Sequence, residues 1–192
     1  MRKRNVTSQR GSSLIVVLII VAFMLAVGVS LLTVTGTASK VSGSVRDQEE
    51  AFNSAEAGFE AARIAIEAKF FDGTWTNLPD NCCRIPTGID LPLDPAYFRK
   101  HTDSELVAQI PVPTSTNGVI FKDQPFTKTI TGTDDMTRTY TVFLIDDEAG
   151  SPVPDPSDAL LICIGVVRSG TKILSTSRLE ILIAIQTGGT NP

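Results

Sequence analysis

Leu14-Ile15-Val16-Val17-Leu18-Ile19-Ile20-Val21-Ala22-Phe23-Met24-Leu25-Ala26-Val27-Gly28-Val29 is an unbroken apolar run, and Ser30-Leu31-Leu32 extends it. No charged residue stands between Gly11 and Lys40. A helix of about 20 apolar residues crosses a bilayer, so the run has the length of a membrane anchor. Before it come Arg2, Lys3, Arg4 and Arg10, with no acid among them. Positive charge on a short N-terminal side holds that side in the cytoplasm. The expected topology is a single pass in an inner membrane, with the N-terminus inside and the rest of the chain across the membrane. A secretory signal is the competing reading, because Gly36-Thr37-Ala38 offers the small residues signal peptidase tolerates. The run is longer than the usual apolar core of such signals, about 7–15 residues.

A second helical pattern follows. Phe52, Ala55, Phe59, Ala62 and Ile66 recur at spacings of three and four, the apolar stripe of a helix with 3.6 residues per turn. Arg46, Asp47, Glu49, Glu50, Asn53, Glu56, Glu60, Arg63 and Glu67 fill most of the other faces. The junction is a weak helix former. Gly36 and Gly43 stand among Thr33, Thr35, Thr37, Ser39, Ser42 and Ser44, and each glycine costs about 1 kcal/mol against alanine. Two readings of this stretch stay open: local melting with close helix approach, or a plain membrane-exit segment.

After Ala68 the pattern changes. Phe70-Phe71-Asp72-Gly73 marks a helix end, and Pro79, Pro86, Pro92, Pro95, Pro111 and Pro113 make the next stretch loop-rich, with a short helix near Asp103 to Gln109. Strands are expected at Val119 to Lys122, Thr127 to Thr131, Arg138 to Ile145, Leu160 to Arg168 and Ile173 to Thr187. Arg168-Ser169-Gly170-Thr171-Lys172 signals a hairpin turn between the last two. Leu179, Ile181, Ile183 and Ile185 give the final strand one strongly apolar face for packing on a helix. The expected fold is α+β: a long N-terminal helix, transmembrane and then amphipathic, packed on an antiparallel sheet. The expected division is residues 1–11 as a leader, 12–68 as the helix with its transmembrane half at 12–33, and 69–192 as a β-rich head.

The order of basic leader, glycine, apolar helix, amphipathic helix and β-rich head resembles a type IV pilin precursor. Ser12-Ser13-Leu14-Ile15-Val16-Val17-Leu18-Ile19, with Arg46-Asp47-Gln48 and Ala51-Phe52-Asn53-Ser54-Ala55-Glu56-Ala57-Gly58 downstream, is most similar to the N-terminal region of PilX-like minor pilins. The resemblance covers roughly residues 8 to 65 and stops short of the head. It implies cleavage by prepilin peptidase between Gly11 and Ser12. It implies filament packing through the apolar helix, including Leu14, Val16, Leu18 and Phe23. Its implied partners are other pilins and the pilus assembly machinery, and its implied work is priming assembly or sitting at the filament tip. Major pilins carry a glutamate at the fifth mature position, where this chain has Val16. A charge in an apolar core is costly unless paired, so a subunit without that acid suits a low-copy position near a tip. A type II secretion pseudopilin shares these N-terminal features. A signal-anchored or secreted membrane-associated protein unrelated to filaments is the reading from a different class.

Composition narrows the rest. The formal charge is −4, and losing the four leader cations takes it to −8. An acidic chain argues against nucleic-acid binding, which wants clustered Lys and Arg. One His, one Trp and no nucleophile–base pair argue against an enzyme. Cys82 and Cys83 are adjacent, and Cys163 lies in an expected strand. An oxidising compartment permits a disulfide from Cys163 to Cys82 or Cys83. No cofactor is expected. The one candidate metal site is a calcium loop formed by Asp146, Asp147, Asp155 and Asp158, because calcium takes about six to eight oxygens. A solvated acidic loop is the alternative.

Overall fold

The structure is a computed structural model that describes residues 12–75, 78, 87–114, 117–127, 134–145 and 158–184. Helix α1 spans Ser12–Phe71. Helix α2 is Asp103–Gln109, preceded by a 3₁₀ turn at Phe98–Lys100. Strands β1 (Val119–Thr127), β2 (Asp134–Ile145), β3 (Asp158–Ser169) and β4 (Lys172–Ala184) follow. The chain divides into two compact units, Met1–Val45 and Arg46–Pro192. The first contains the apolar part of α1. The second is the α+β head with the rest of α1.

In the head the four strands form an antiparallel meander in the order β1-β2-β3-β4. β3 explains the arrangement. Its run Ala159-Leu160-Leu161-Ile162-Cys163-Ile164-Gly165-Val166-Val167 has apolar residues on both pleat faces, and Leu161 to Val167 are all buried. A strand of that kind needs cover on both sides. On one face Leu161 and Cys163, with Val142 and Leu144 of β2, meet Ala62 and Ile66 of α1. On the other face Ile162, Ile164 and Val166, with Phe143 and Ile145, meet Ile89, Phe98, Leu106 and Val107. The Pro-rich stretch thus supplies the second layer of the head.

Local chemistry fixes the ends of these elements. α1 ends where Gly73 takes a φ of 76°, as the Phe-Phe-Asp-Gly signal predicts. α2 starts with a capping box: the Glu105 N–H donates to Thr102 Oγ1, and the Thr102 N–H donates to Glu105 Oε2 at 2.8 Å. The β3–β4 hairpin turns at Gly170, whose φ is 60°.

Of the expected apolar stripe of α1, Ala55, Ala62 and Ile66 are buried and Phe59 packs against the core, but Phe52 turns outward. Phe52 is 41% exposed, while Ala51, Ser54, Ala55 and Ala62 are fully buried. Gly165 explains this. A Cβ built there would overlap the carbonyl oxygen of Ala51 and lie 2.5 Å from the nitrogen of Ala55. Sheet backbone meets helix backbone at that point, so only small residues fit between them. Gly58 repeats the pattern against Tyr140, whose ring carbon Cδ2 would lie 3.0 Å from an added Cβ. The strands also differ from expectation at the β1–β2 edge. β1 runs on through Pro125 to Thr127, and β2 begins at Asp134 rather than Arg138. Residues 128–131, read as part of a separate strand, lie outside the described residues.

Candidate functional site

The surface that can act is that of α1. From Leu14 to Val34 its large apolar side chains are exposed, including Leu14, Val16, Leu18 and Phe23. The helix is long and apolar enough to cross a membrane. Three of its hydroxyls, those of Ser30, Thr33 and Thr35, bond back to helix carbonyls. Ser30 Oγ donates to the Ala26 carbonyl at 2.9 Å, and Thr35 Oγ1 to the Leu31 carbonyl at 2.8 Å. Internal bonds of this kind remove the cost of placing a polar group in hydrocarbon. Gly28, Gly36 and Gly43 have open space where a Cβ would sit. The glycine- and threonine-rich junction is nevertheless helical throughout.

Where α1 enters the head, charge pairing supplements the close packing. Arg46 Nε and Arg138 Nη2 each lie 3.0 Å from Glu50 Oε1, so one carboxylate ties a helix cation to a β2 cation. Across the sheet, Arg178 gathers the second layer. Its Nε donates to Asp103 Oδ1 at 2.7 Å and its Nη2 to the His101 carbonyl at 3.0 Å. Arg99 pairs with Glu180 at 2.7 Å, and this contact holds the guanidinium above its ordinary pKa. Burial pushes the Lys122 ammonium down, against the opposing pull of Asp123. His101 is half-buried, with Nε2 3.0 Å from the Pro95 carbonyl oxygen.

Of the residues singled out from sequence, Ser12 opens α1, and Leu14, Val16, Leu18 and Phe23 line its exposed apolar part. Gly11 lies outside the described residues. Cys163 is a free thiol, fully buried in β3 on the face that packs against α1. Burial pushes it up to about 12, so it stays protonated. The cysteines expected to bond it, Cys82 and Cys83, lie outside the described residues, as do Asp146, Asp147 and Asp155. Asp158 stands half-buried at the start of β3. No cluster able to hold a metal occurs among the described residues.

The stretch that contains this surface also matches a family model. Residues 10–60 fit the one described as PilX N-terminal. The chain carries a PilX-like type IV pilin N-terminal region. The PilX-like region takes in the whole apolar run and the small-residue face at Ala51, Ser54, Ala55 and Gly58, and it ends inside α1. It therefore contains both the membrane-length surface and the helix side of the contact at Gly165. No curated protein and no solved structure gives a significant match. Sequence reasoning missed Glu50, Arg138 and Arg178 as the residues that lash the layers together. Nothing local marks them, since their partners lie far away in the chain.

Proposed function

We propose that this protein is a minor pilin of a type IV pilus, PilX-like, which primes assembly or occupies the filament tip. Prepilin peptidase removes residues 1–11, leaving Ser12 at the N-terminus. Residues 12–33 hold the subunit in the inner membrane with its N-terminus in the cytoplasm, and afterwards pack among other pilins. The supporting observation is the coincidence of three features in residues 10–60: the PilX N-terminal match, an exposed uncharged helix of membrane length, and the small-residue face that binds α1 to its sheet. Head-to-tail contacts that do not close on themselves generate a helical filament.

Val16 supports a low-copy place near the filament tip. In pilin-like subunits the glutamate at this position is thought to pair with the N-terminal amine of a neighbour. A valine cannot, so repeated internal placement loses one paired charge per subunit. Immunogold labelling of purified pili tests this. Sparse labelling concentrated at filament ends is the expected result. Abundant labelling along the shaft would remove the tip assignment, and absence from the pilus fraction would remove the pilin reading.

A further inference from the structure

Asn117-Gly118 is the only Asn-Gly pair in the chain. Such a pair is labile in water. With no side chain on the second residue, its backbone nitrogen reaches the asparagine side-chain carbon and closes a five-membered imide ring. Asparagine counts among the thermolabile residues. Here the pair stands on the connection between α2 and β1, and both of its residues are buried. Asn117 is 5% exposed, although asparagine is mostly a surface residue.

The side-chain amide of Asn117 is bonded at both ends. Oδ1 accepts from the Thr114 N–H at 3.0 Å and from the Val119 N–H at 3.2 Å. Nδ2 donates to the Val112 carbonyl at 2.8 Å. One side chain thus ties the segment leaving α2 to the first residue of β1. Ile110 and Val119, on either side of this corner, belong to the same core as Leu106 and Phe143. Gly118 is held as well. Its φ is 62°, and its carbonyl accepts from the Leu144 N–H at 3.0 Å, which sets β1 beside β2.

In ring closure the Gly118 nitrogen loses its proton and bonds to Asn117 Cγ, and Nδ2 leaves as ammonia. Water then opens the imide at either carbonyl. One opening leaves aspartate, and the other leaves isoaspartate, with an extra carbon in the backbone. No oxidant and no cofactor enters. In the fold the leaving nitrogen is bonded to Val112, the side-chain oxygen is bonded twice, and burial keeps out the water that the reaction needs. Unfolding removes all three restraints. Neither product fits the folded corner. A carboxylate sets an acceptor oxygen against the Val112 carbonyl, and a buried group without a partner costs more than the bond it lost. Isoaspartate lengthens the backbone just before Gly118 and displaces the carbonyl that Leu144 uses.

From these features we infer that Asn117-Gly118 is a modification site gated by folding: water converts it in the unfolded chain and not in the folded head, and conversion stops the α2–β1 corner from re-forming. The pair is a one-way checkpoint, since a chain that waits unfolded loses its native corner. The inference concerns the head alone and does not depend on the filament reading.

The test uses the full chain in detergent micelles, held in mildly alkaline buffer either folded or in concentrated guanidinium chloride. Peptide mapping by mass spectrometry follows the amide-to-acid mass gain at residue 117. Conversion in the denaturant should exceed conversion in the folded chain by about tenfold or more, because the site opens only when the head does. Chains are then returned to buffer and melted, with Trp75 fluorescence as the signal. Converted chains should melt lower by about 4 °C or more, while chains exposed only briefly to denaturant recover the original value. Asn117→Asp, never exposed to denaturant, supplies the aspartate product and should show the same loss. Equal conversion rates in the two states, or no conversion in denaturant, would overturn the inference. So would an unchanged melting temperature in converted chains or in Asn117→Asp. A chain excluded from pili can still convert in this way, and a pilus subunit can fail to, so the two readings fail separately.

Discussion

Adding one methyl group at Gly165 forces helix and sheet apart where their backbones meet. A Cβ there would overlap the Ala51 carbonyl oxygen and lie 2.5 Å from the Ala55 nitrogen. Both obstacles are backbone atoms of one helix, so no side chain can rotate away. Overpacking of a well-filled core costs about 1–3 kcal/mol, and a backbone-to-backbone clash belongs at the top of that range. For a chain of this size each kcal/mol lowers the melting temperature by about 2–4 °C. Gly165→Ala should therefore melt about 6–12 °C below wild type. The only tryptophan, Trp75, packs edge-to-face on Phe70 with ring centroids 6.0 Å apart and reports head unfolding by fluorescence. Gly58→Ala supplies the comparison. Its nearest obstacle is the Tyr140 side chain at 3.0 Å, which can swing, and alanine gains about 1 kcal/mol of helix propensity. It should cost clearly less than Gly165→Ala. Trimming Ala55 to glycine should not rescue Gly165→Ala, because the clash is with backbone rather than with a methyl group. A neutral Gly165→Ala, or rescue by Ala55→Gly, would refute the close-approach argument.

Arg178→Met should cost about 1.5–3 kcal/mol, the range for hydrogen bonds to charged groups, and should speed hydrogen exchange in residues 98–109 before the sheet is affected. Thr102→Ala should cost α2 about 1 kcal/mol. The Thr102 backbone and side-chain donors hold the Glu105 carboxyl below its usual 4.5, so that contribution is present above about pH 4.5 and is lost as pH falls through the lowered value. Thr102→Ala should weaken this acid dependence in a pH series of melts without abolishing it, because the residue-102 backbone N–H still donates to Glu105. Cys163, raised to about 12 by burial, should resist iodoacetamide at pH 8 in the folded chain and react once unfolded. Non-reducing peptide mapping that finds it bonded to Cys82 or Cys83 would replace the free thiol with the disulfide expected from sequence.

The elements with a local signal were readable directly. α2 falls at Asp103–Gln109 as expected, because a cap, an acidic first turn and two apolar residues lie within one short stretch. The β3–β4 hairpin and the end of α1 were marked by Gly170 and Gly73. The face that α1 buries was read correctly at Ala55, Phe59, Ala62 and Ile66 but not at its near end, because hydropathy weights Phe52 above Ala51, Ser54 and Gly58. The better signal was Gly165 inside an otherwise apolar strand, since a strand glycine marks a close backbone approach. Read with the small residues at 51, 54, 55, 58 and 62, it points to the true contact face. The bulged course of β1 was not legible, because register depends on pairing with β2. Glu50–Arg138 and Arg178–Asp103 join residues distant in the chain, so no window of sequence contains either pair. The apolar run was legible in full, because a membrane reads length and charge rather than tertiary context.

The most direct test of the central claim is the mass of the mature N-terminus, measured by mass spectrometry on protein purified from cells with and without prepilin peptidase. A pilin subunit begins at Ser12 when the peptidase is present and retains residues 1–11 when it is absent, keeping the apolar run Leu14 to Leu32 in both. An N-terminus at Ser39 with the apolar run gone, or one that is the same in both strains, would contradict the account.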